Sequence, residues 1–199
     1  MEKLPVVEIF NSIQGEGIHT GKPAFFIRLA GCDVCCTWCD EKIAWDAATF
    51  PLRQVDEIVH EVRNSGANTV VVTGGEPFRY DLNALTAELE KISVACMAET
   101  SGTGVISGAW HWITMSPKQQ QPPLSENYKQ ADELKVVIQK ESDFAWAEHN
   151  AKFVRPDTVL YLQPEWSCFH EILPLIIRYI KINPHWRLSV QMHKFLNIP

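Results

Sequence analysis

Eight short apolar segments rich in β-branched residues recur along the chain. They cover residues 6–10, 24–31, 69–75, 94–100, 110–116, 134–139, 158–164 and 187–192. Several of them are almost continuously apolar and do not alternate with polar residues, which is typical of strands covered on both faces. The pattern therefore predicts a mainly parallel sheet.

Helical periodicity occupies some of the intervals between these segments. In the segment 52–66 apolar residues recur every three or four positions, and Gly66 stands where a C-cap belongs. The segment 81–92 has the same spacing, and Asp81 is its predicted N-cap. Two further helices are predicted at 142–152 and 170–182.

Alternating strands and helices predict βαβ units. A complete (β/α)8 barrel takes about 250 residues, and the interval between 94–100 and 110–116 leaves no room for a helix. We therefore expect a single α/β domain over 1–199, folded as an incomplete TIM-type barrel with about six core parallel strands and a reduced set of helices. The irregular segment 116–130 is predicted to be a surface or active-site loop.

Composition narrows the possible partners. The net charge is −6 and no long basic run is present, so we expect no nucleic-acid partner. No apolar stretch approaches the ~20 residues that cross a bilayer, and the first residues do not resemble a secretory signal. We therefore expect a cytoplasmic protein without a membrane partner, in which clustered cysteines bind metal or do redox chemistry more often than they form disulfides.

Four of the six cysteines fall within "GCDVCCTWCD", residues 31–40. Two abutting C-x2-C pairs would suggest zinc, but one tight loop would then have to surround a tetrahedral ion. The alternative set, Cys32, Cys36 and Cys39, would hold three irons of a cubane cluster and leave the fourth iron open. The spacing favours an iron–sulfur cluster and leaves zinc as an alternative, while Cys96 and Cys168 are expected to be small buried hydrophobes.

The cysteine loop resembles that of the radical S-adenosylmethionine (SAM) superfamily. The C-x3-C-x-aromatic-C pattern of that superfamily is matched by Cys32, Cys36, Trp38 and Cys39. A second signature, "TGGEP" at 73–77, follows about forty residues later. Its two glycines let backbone groups approach a small ammonium group, and Glu76 is expected to add a countercharge.

Within that superfamily the chain resembles the 7-carboxy-7-deazaguanine synthases almost from end to end. The resemblance is carried by "EIFNSIQGEGIHTGKPAFFIRLAGC", "ETSGT", "SPK", "LQP" and "WRLSVQMHKFLNIP". It implies conversion of 6-carboxy-5,6,7,8-tetrahydropterin to 7-carboxy-7-deazaguanine and ammonia, a step of queuosine biosynthesis. It also implies a [4Fe–4S] cluster, SAM that is regenerated in each turnover, Mg²⁺, a flavodoxin or ferredoxin as electron donor, and a homodimer.

The same resemblance assigns roles to individual residues, and it assigns no catalytic side chain because the cofactors carry the radical. The cluster ligands it implies are Cys32, Cys36 and Cys39. The implied SAM-binding residues are Trp38, Gly75, Ser101, Ser116, Pro117, Lys118 and Gln163. The implied substrate contacts are Ile13, Gln14, Gly15, Glu16, Arg28, Thr73, Glu99, His193 and Pro199.

A carboxylated pterin needs a fixed cation for its carboxylate and acceptors for its guanidine-like edge. Arg28 suits the first need, since its guanidinium is planar and bidentate, and Glu16 or Glu99 suits the second. Arg28 interrupts an otherwise apolar strand, where an unpaired buried cation would be costly. We therefore expect Arg28 to face the interior of the barrel.

Two residues depart from the family pattern. Glu41 stands where the family has a threonine associated with Mg²⁺, so the metal is expected at or near Glu41 unless it is shifted, weakened or absent. Cys35 is not required by the motif and is expected to be a bystander. The rival hypotheses are another small radical SAM enzyme, such as a glycyl-radical activase, and a non-catalytic zinc-binding interaction module.

Overall fold

The computed structural model of the chain describes residues 2–199. Its strands are β1 Lys3–Ile13, β2 Pro23–Leu29, β3 Leu52–Gln54, β4 Thr69–Gly74, β5 Ala95–Thr100, β6 Trp112–Met115, β7 Glu133–Ile138, β8 Val159–Pro164 and β9 Trp186–Leu188. Its helices are α1 Val55–Ser65, α2 Asn83–Lys91, α3 Asp143–Ala151, α4 Phe169–Ile182 and α5 Met192–Leu196. Within these described residues, every helix is too short or too polar to cross a membrane.

All nine strands form one open sheet in the order β3-β1-β2-β4-β5-β6-β7-β8-β9. From β2 to β9 each neighbouring pair is parallel, whereas β1 is antiparallel to both β2 and β3. The expected incomplete barrel is thus confirmed, with β2 and β4 to β8 as its six core strands. The short β9 extends one edge, and β1 and β3 cover the other.

Alternate residues of β2 face two different environments. Phe25, Ile27 and Leu29 belong to the core beneath α1 and α2. Phe26 packs against Val71 on the inner side of the sheet. Since side chains alternate along a strand, Arg28 shares the inner face with Phe26.

Helices α1 and α2 follow the predicted periodicity, with one difference at a cap. Gly66 ends α1 in the left-handed conformation, with φ of 70°, as expected for a C-cap glycine. The predicted N-cap of α2 was wrong by one residue, because Leu82 occupies that position. Asp81 precedes it, and its carboxylate accepts the Asn83 N–H at 2.9 Å.

The connections also agree with the predicted spacing, apart from the C-terminal region. The loop from β5 to β6 contains no helix. The predicted strand 187–192 is shorter than expected, because the Met192 N–H donates to Gly15 O at 2.9 Å and the chain turns into α5. Strand β3 and helix α5 were not predicted, since each is too short to show a period of its own.

Two apolar cores lie beneath the helices. One contains residues from β1, β2, β4 and β5 with α1 and α2, and the other contains residues from β7 to β9 with α3 and α4. They meet at β6, where Ile113 belongs to the first core and Met115 to the second. This arrangement gathers the carboxyl ends of the parallel strands at one edge of the sheet, where such folds place their functional residues.

Candidate active site

Residues at the carboxyl ends of β2, β4, β5, β6 and β8 line a common cavity, which we call the first cavity. It contains three loop cysteines and six of the seven residues implied for SAM. These residues are Cys32, Cys36, Cys39, Trp38, Gly75, Ser101, Ser116, Lys118 and Gln163. Pro117 is the exception, because it does not line this cavity.

The four loop cysteines occupy different environments. Cys36 is buried, Cys32 and Cys39 are half-buried, and all three line the first cavity. Cys35 is exposed, has a φ of 48°, and donates its thiol hydrogen to Cys32 O at 3.2 Å. Burial raises the pKa of the Cys36 thiol, against the attraction of Lys118. The three cavity thiols therefore fit a cluster with three protein ligands, and Cys35 lies outside that set.

A closed single-ion site is not formed in the part of the chain that the structure describes. Across residues 2–199, no three His, Cys, Asp or Glu side chains converge closely enough to hold one metal ion. A structural zinc site needs such convergence around one tetrahedral ion. An iron–sulfur cluster is a larger body whose thiolate ligands bind separate irons, so its ligands stand further apart. The geometry thus favours the cluster over zinc.

The glycines of "TGGEP" allow the end of β4 to contact the cysteine loop directly. Gly74 has a φ of 127°, and a Cβ there would lie 2.1 Å from Leu29 O. A Cβ on Gly75 would lie 2.2 Å from Gly31 O. No side chain fits in either place, so these positions require glycine for backbone packing as well as for approach to a ligand.

Glu76 does not supply the expected countercharge at the cavity. Its side chain is buried and absent from the cavity wall. The carboxylate accepts hydrogen bonds from Thr100 Oγ1 at 2.6 Å, from Ser101 N at 2.7 Å and from Phe78 N at 3.1 Å. Glu76 therefore fixes the position of Ser101 from behind the wall.

Lys118 lines the first cavity beside the cysteine loop. Its ammonium donates to Ser116 O at 2.7 Å and to Ser116 Oγ at 2.6 Å, and it lies 5.4 Å from the centre of the Trp38 ring. Burial lowers the pKa of Lys118, and the attraction of Cys36 opposes that shift. The side chain is thus held over the cavity by its own loop and remains able to pair with an anion.

A second cavity of about 420 Å³ adjoins the first. It is lined by all nine residues implied for the substrate: Ile13, Gln14, Gly15, Glu16, Arg28, Thr73, Glu99, His193 and Pro199. The two cavities share a wall formed by Glu16, Asp40, Glu41, Glu99 and Gln191. A molecule in one cavity therefore lies beside a molecule in the other.

The loop after β1 carries much of this wall and is held by other elements. Gln14 Nε2 donates to Glu99 Oε1 at 2.8 Å, and Glu16 forms an ion pair with Lys135 on β7. A Cβ on Gly15 would lie 2.3 Å from His193 Nδ1. Glycine at this position therefore lets α5 pack directly on the loop.

Arg28 faces the second cavity between two carboxylates. Its Nε donates to Glu8 Oε1 at 2.8 Å, and a guanidinium nitrogen lies 3.3 Å from Glu41 Oε2. Burial raises the pKa of Glu41, and Arg28 lowers it. A Mg²⁺ ion bound at Glu41 would therefore share that carboxylate with Arg28.

Four further residues line the site and were not singled out from the sequence: Lys135, Asp40, Gln191 and Lys194. Gln191 Nε2 donates to Asp40 Oδ2 at 2.8 Å and to Glu16 Oε1 at 3.0 Å, and Lys194 lies 2.7 Å from Asp40 Oδ1. Lys135 carried a usable signal, because it interrupts an apolar strand just as Arg28 does. The other three gave none, since their contacts join distant parts of the chain.

An open parallel half-barrel with three cavity-facing thiols after its first parallel strand defines a protein of the radical SAM, iron–sulfur class. Residues 13–153 match a protein family described as "4Fe-4S single cluster domain". Relatives named 7-carboxy-7-deazaguanine synthase are 35–48% identical over nearly the whole chain. The chain therefore belongs to the 7-carboxy-7-deazaguanine synthase family.

Relatives with that name match nearly the whole chain. The Flavobacterium psychrophilum protein is 48% identical over 100% of this chain and 94% of its own length. The Synechocystis sp. protein is 43% identical over 98% and 93%, and the Escherichia coli K12 protein is 35% identical over 98% of each. The crystal structure of QueE from Escherichia coli superposes with a TM-score of 0.85 at 34% identity, and covers 96% of this chain and 95% of that one.

Proposed function

We propose that this protein converts 6-carboxy-5,6,7,8-tetrahydropterin to 7-carboxy-7-deazaguanine and ammonia, as a step of queuosine biosynthesis. The observation that carries the proposal is the pair of adjoining cavities with a shared wall. One contains the three thiols expected to ligate iron, and the other contains every residue that the family resemblance assigns to the substrate. Identities of 35–48% over nearly the whole chain support the same activity.

The first cavity would hold the cofactors. Cys32, Cys36 and Cys39 would ligate a [4Fe–4S] cluster, and the residues implied for SAM would surround SAM beside it. Cluster and SAM together supply hydrogen-atom abstraction by a radical, while the protein supplies binding, orientation and exclusion of water. Lys118 would pair with an anionic group of SAM, and the apolar ring of Trp38 would shield the cavity from water.

The second cavity would orient the pterin. Glu16 and Glu99 offer acceptor oxygens to the donor-rich edge of the ring system, and Gln14 and Thr73 donate to Glu99 at 2.8 and 3.5 Å and so fix its position. Arg28 would pair with the substrate carboxylate. Burial lowers the pKa of His193, so at neutral pH its imidazole is uncharged and offers one donor and one acceptor.

The remaining expectations belong to the same proposal. We infer that residues 1–199 act as one cytoplasmic domain, that the protein is a homodimer, and that a flavodoxin or ferredoxin reduces the cluster. We also infer that Mg²⁺ binds at or near Glu41. In support, Glu8, Asp40 and Glu41 place several carboxylates beside the space meant for an anionic substrate, and one or two carboxylates with substrate oxygens are a common Mg²⁺ environment.

The decisive experiment is anaerobic incubation of the reconstituted protein with SAM, a reductant and the carboxytetrahydropterin. We expect carboxydeazaguanine and ammonia to form without stoichiometric release of methionine. A Cys32→Ala variant, which lacks one cluster ligand, is the matched control and should form no product. An intact cluster that cleaves SAM but yields no deazapurine would refute the assignment and favour another small radical SAM enzyme.

A further inference from the structure

Lys135 lies in the middle of β7 with a side chain that is only 5% exposed. Lysine is almost never buried to this degree without a partner. The partner is Glu16, whose side chain is 12% exposed and whose Oε2 contacts Lys135 Nζ. Lys135 lines the first cavity, and Glu16 lines both cavities, so the ion pair lies at the shared wall.

The two oxygens of Glu16 have separate partners. Oε2 accepts from Lys135, and Oε1 accepts from Gln191 Nε2 at 3.0 Å. A carboxylate oxygen has two lone pairs, so each oxygen keeps one for a further donor. The position of the group is therefore fixed while part of its acceptor capacity stays free for a ligand.

Other titratable groups face this pair from β5, β7, α5 and the loop after β6. Glu133 on β7 and Glu99 on β5 also attract the Lys135 ammonium. Glu133 accepts the Ile18 N–H at 3.0 Å, and its carboxylate is thus committed to the loop after β1. On α5, the His193 imidazole attracts the Glu16 carboxylate when it is protonated. In the loop after β6, the Lys118 ammonium and the Lys135 ammonium repel each other.

We propose that Lys135 is a positioning residue for substrate recognition, which holds Glu16 in its ionised form as an acceptor facing the second cavity. This inference rests on the proposed function. Without a nearby cation, a buried carboxyl group takes up a proton and presents a donor. The protonated Glu16 carboxyl would then place an O–H donor opposite the donor-rich edge of the pterin. The substrate would lose the acceptor oxygen that pairs with that edge.

The electrostatics of the pair support this role. Burial alone would raise the pKa of Glu16, but the attraction of Lys135 lowers it to about 2. The Glu16 carboxyl is therefore ionised at neutral pH. Removal of the ammonium leaves burial opposed only by His193 and by the Gln191 hydrogen bond, so the pKa of Glu16 then rises.

The test compares Lys135→Met with Lys135→Arg in the cluster-loaded enzyme. We expect Lys135→Met to lower kcat/KM for the pterin by about tenfold or more, equivalent to about 1.4 kcal/mol, mainly through KM. Its kcat/KM should rise with pH as Glu16 loses its proton, whereas the wild-type profile lacks that limb. Lys135→Arg should restore most of the activity and the wild-type profile, because it keeps the charge.

Two further measurements separate this role from a structural one. The double variant Lys135→Met/Glu16→Gln should lack the pH-dependent limb, since no carboxyl group remains to titrate. Iron content and SAM affinity should stay within about twofold of the wild type in all variants. A twofold change in a dissociation constant corresponds to only a small change in binding free energy. A Lys135→Met enzyme with wild-type KM and pH profile would overturn the inference.

The Glu16→Gln variant keeps the inference testable if Lys135→Met does not fold. The amide has nearly the volume of the carboxylate but presents a donor on one side, so KM for the pterin should rise while SAM affinity is unchanged. An unchanged KM would overturn the inference. A wild-type enzyme that forms no deazapurine would instead refute the proposed function, so the two failures are distinguishable.

Discussion

Cys35 and Cys36 are neighbours in the chain, yet their side chains occupy different environments. Cys36 is 6% exposed and lines the first cavity, whereas Cys35 is exposed and does not. The left-handed backbone at Cys35, with φ of 48°, turns its thiol away from the cavity. The motif takes Cys36 as a ligand and leaves Cys35 as the spare cysteine, and the backbone conformation gives these neighbours different environments.

This difference predicts the effect of single substitutions in the loop. Cys36→Ala should lose the cluster and all turnover, because a three-ligand cluster has no ligand to spare. Cys35→Ala should keep about four irons per chain and wild-type turnover, and so serves as the matched control. Iron analysis and the visible absorption of anaerobic protein measure this. Loss of iron in Cys35→Ala would show that the ligand set is wrong.

Arg28 and Lys135 show how far sequence reasoning reaches at single positions. Each is a cation within an apolar strand, and the cost of burying an unpaired charge predicts an interior partner for both. The partner itself is not predictable from local pattern, since Glu16 lies 119 positions from Lys135. Glu76 illustrates the reverse case, because the motif predicted a role at the cavity and its hydrogen bonds place it behind the wall.

At the level of elements, the loop after β1 is held by three different parts of the fold. It bonds to β5 through Gln14 and Glu99, to β7 through Glu16 and Lys135, and to the start of α5 through Gly15 and Met192. Four of the nine residues expected to contact substrate lie on or beside this loop. The packing of α5 on Gly15 therefore affects the shape of the whole second cavity.

A methyl group at Gly15 tests this packing. Gly15→Ala places a Cβ 2.3 Å from His193 Nδ1 and 2.9 Å from His193 N, so α5 must move outwards. We expect KM for the pterin to rise by about tenfold, the equivalent of about 1.4 kcal/mol, with iron content and SAM affinity unchanged.

Gly21→Ala is the control for this test, because a Cβ there meets nothing within 4 Å. Gly21 has a φ of 87°, whereas Gly15 does not lie in the left-handed region, so Gly21→Ala adds backbone strain to the same loop without touching α5. Equal effects of the two variants on KM would contradict the proposed packing.

Across the whole molecule, the strands and helices that pack on one another were the predictable part. Apolar runs predicted the positions of eight strands, and helical periodicity predicted α1 to α4. Both patterns arise because these elements bury apolar side chains. Helix α5 and strand β3 depend on tertiary contacts, which the local sequence pattern does not show. The site was predictable from motifs at the carboxyl ends of strands, whereas its internal ion pairs were not.

A partly buried tyrosine, packed against the apolar core of β7 to β9, predicts a pH dependence of stability. Tyr179 on α4 donates to Glu148 Oε1 at 2.8 Å on α3 and stacks on Phe144 with ring centroids 4.1 Å apart. Burial and the Glu148 carboxylate raise the pKa of Tyr179 from 10.0 to about 12. The folded state therefore favours the neutral phenol.

The sign of the effect follows from linkage. Below pH 10 the stabilisation is fully present, and it is lost as the pH rises through about 12, because the unfolded state releases the proton first. Tyr179→Phe should lower the free energy of unfolding at neutral pH by about 1 kcal/mol and should flatten the decline between these pH values. Denaturant unfolding at a series of pH values measures the free energy of unfolding, and tyrosinate absorbance measures the ionisation of Tyr179. An identical decline in the two proteins would contradict the assigned pKa.

Residues from the first strand and from the last residues of the described chain meet at the second cavity. There Ser12 Oγ donates to Pro199 O at 2.8 Å, across 187 positions of the chain. During synthesis on the ribosome, the cysteine loop emerges early, while residues 189–199 emerge after all the strands. The second cavity therefore lacks part of its wall until these residues have been synthesised and packed. We therefore expect the cysteine loop to be more accessible to cluster delivery before residues 189–199 have packed than afterwards.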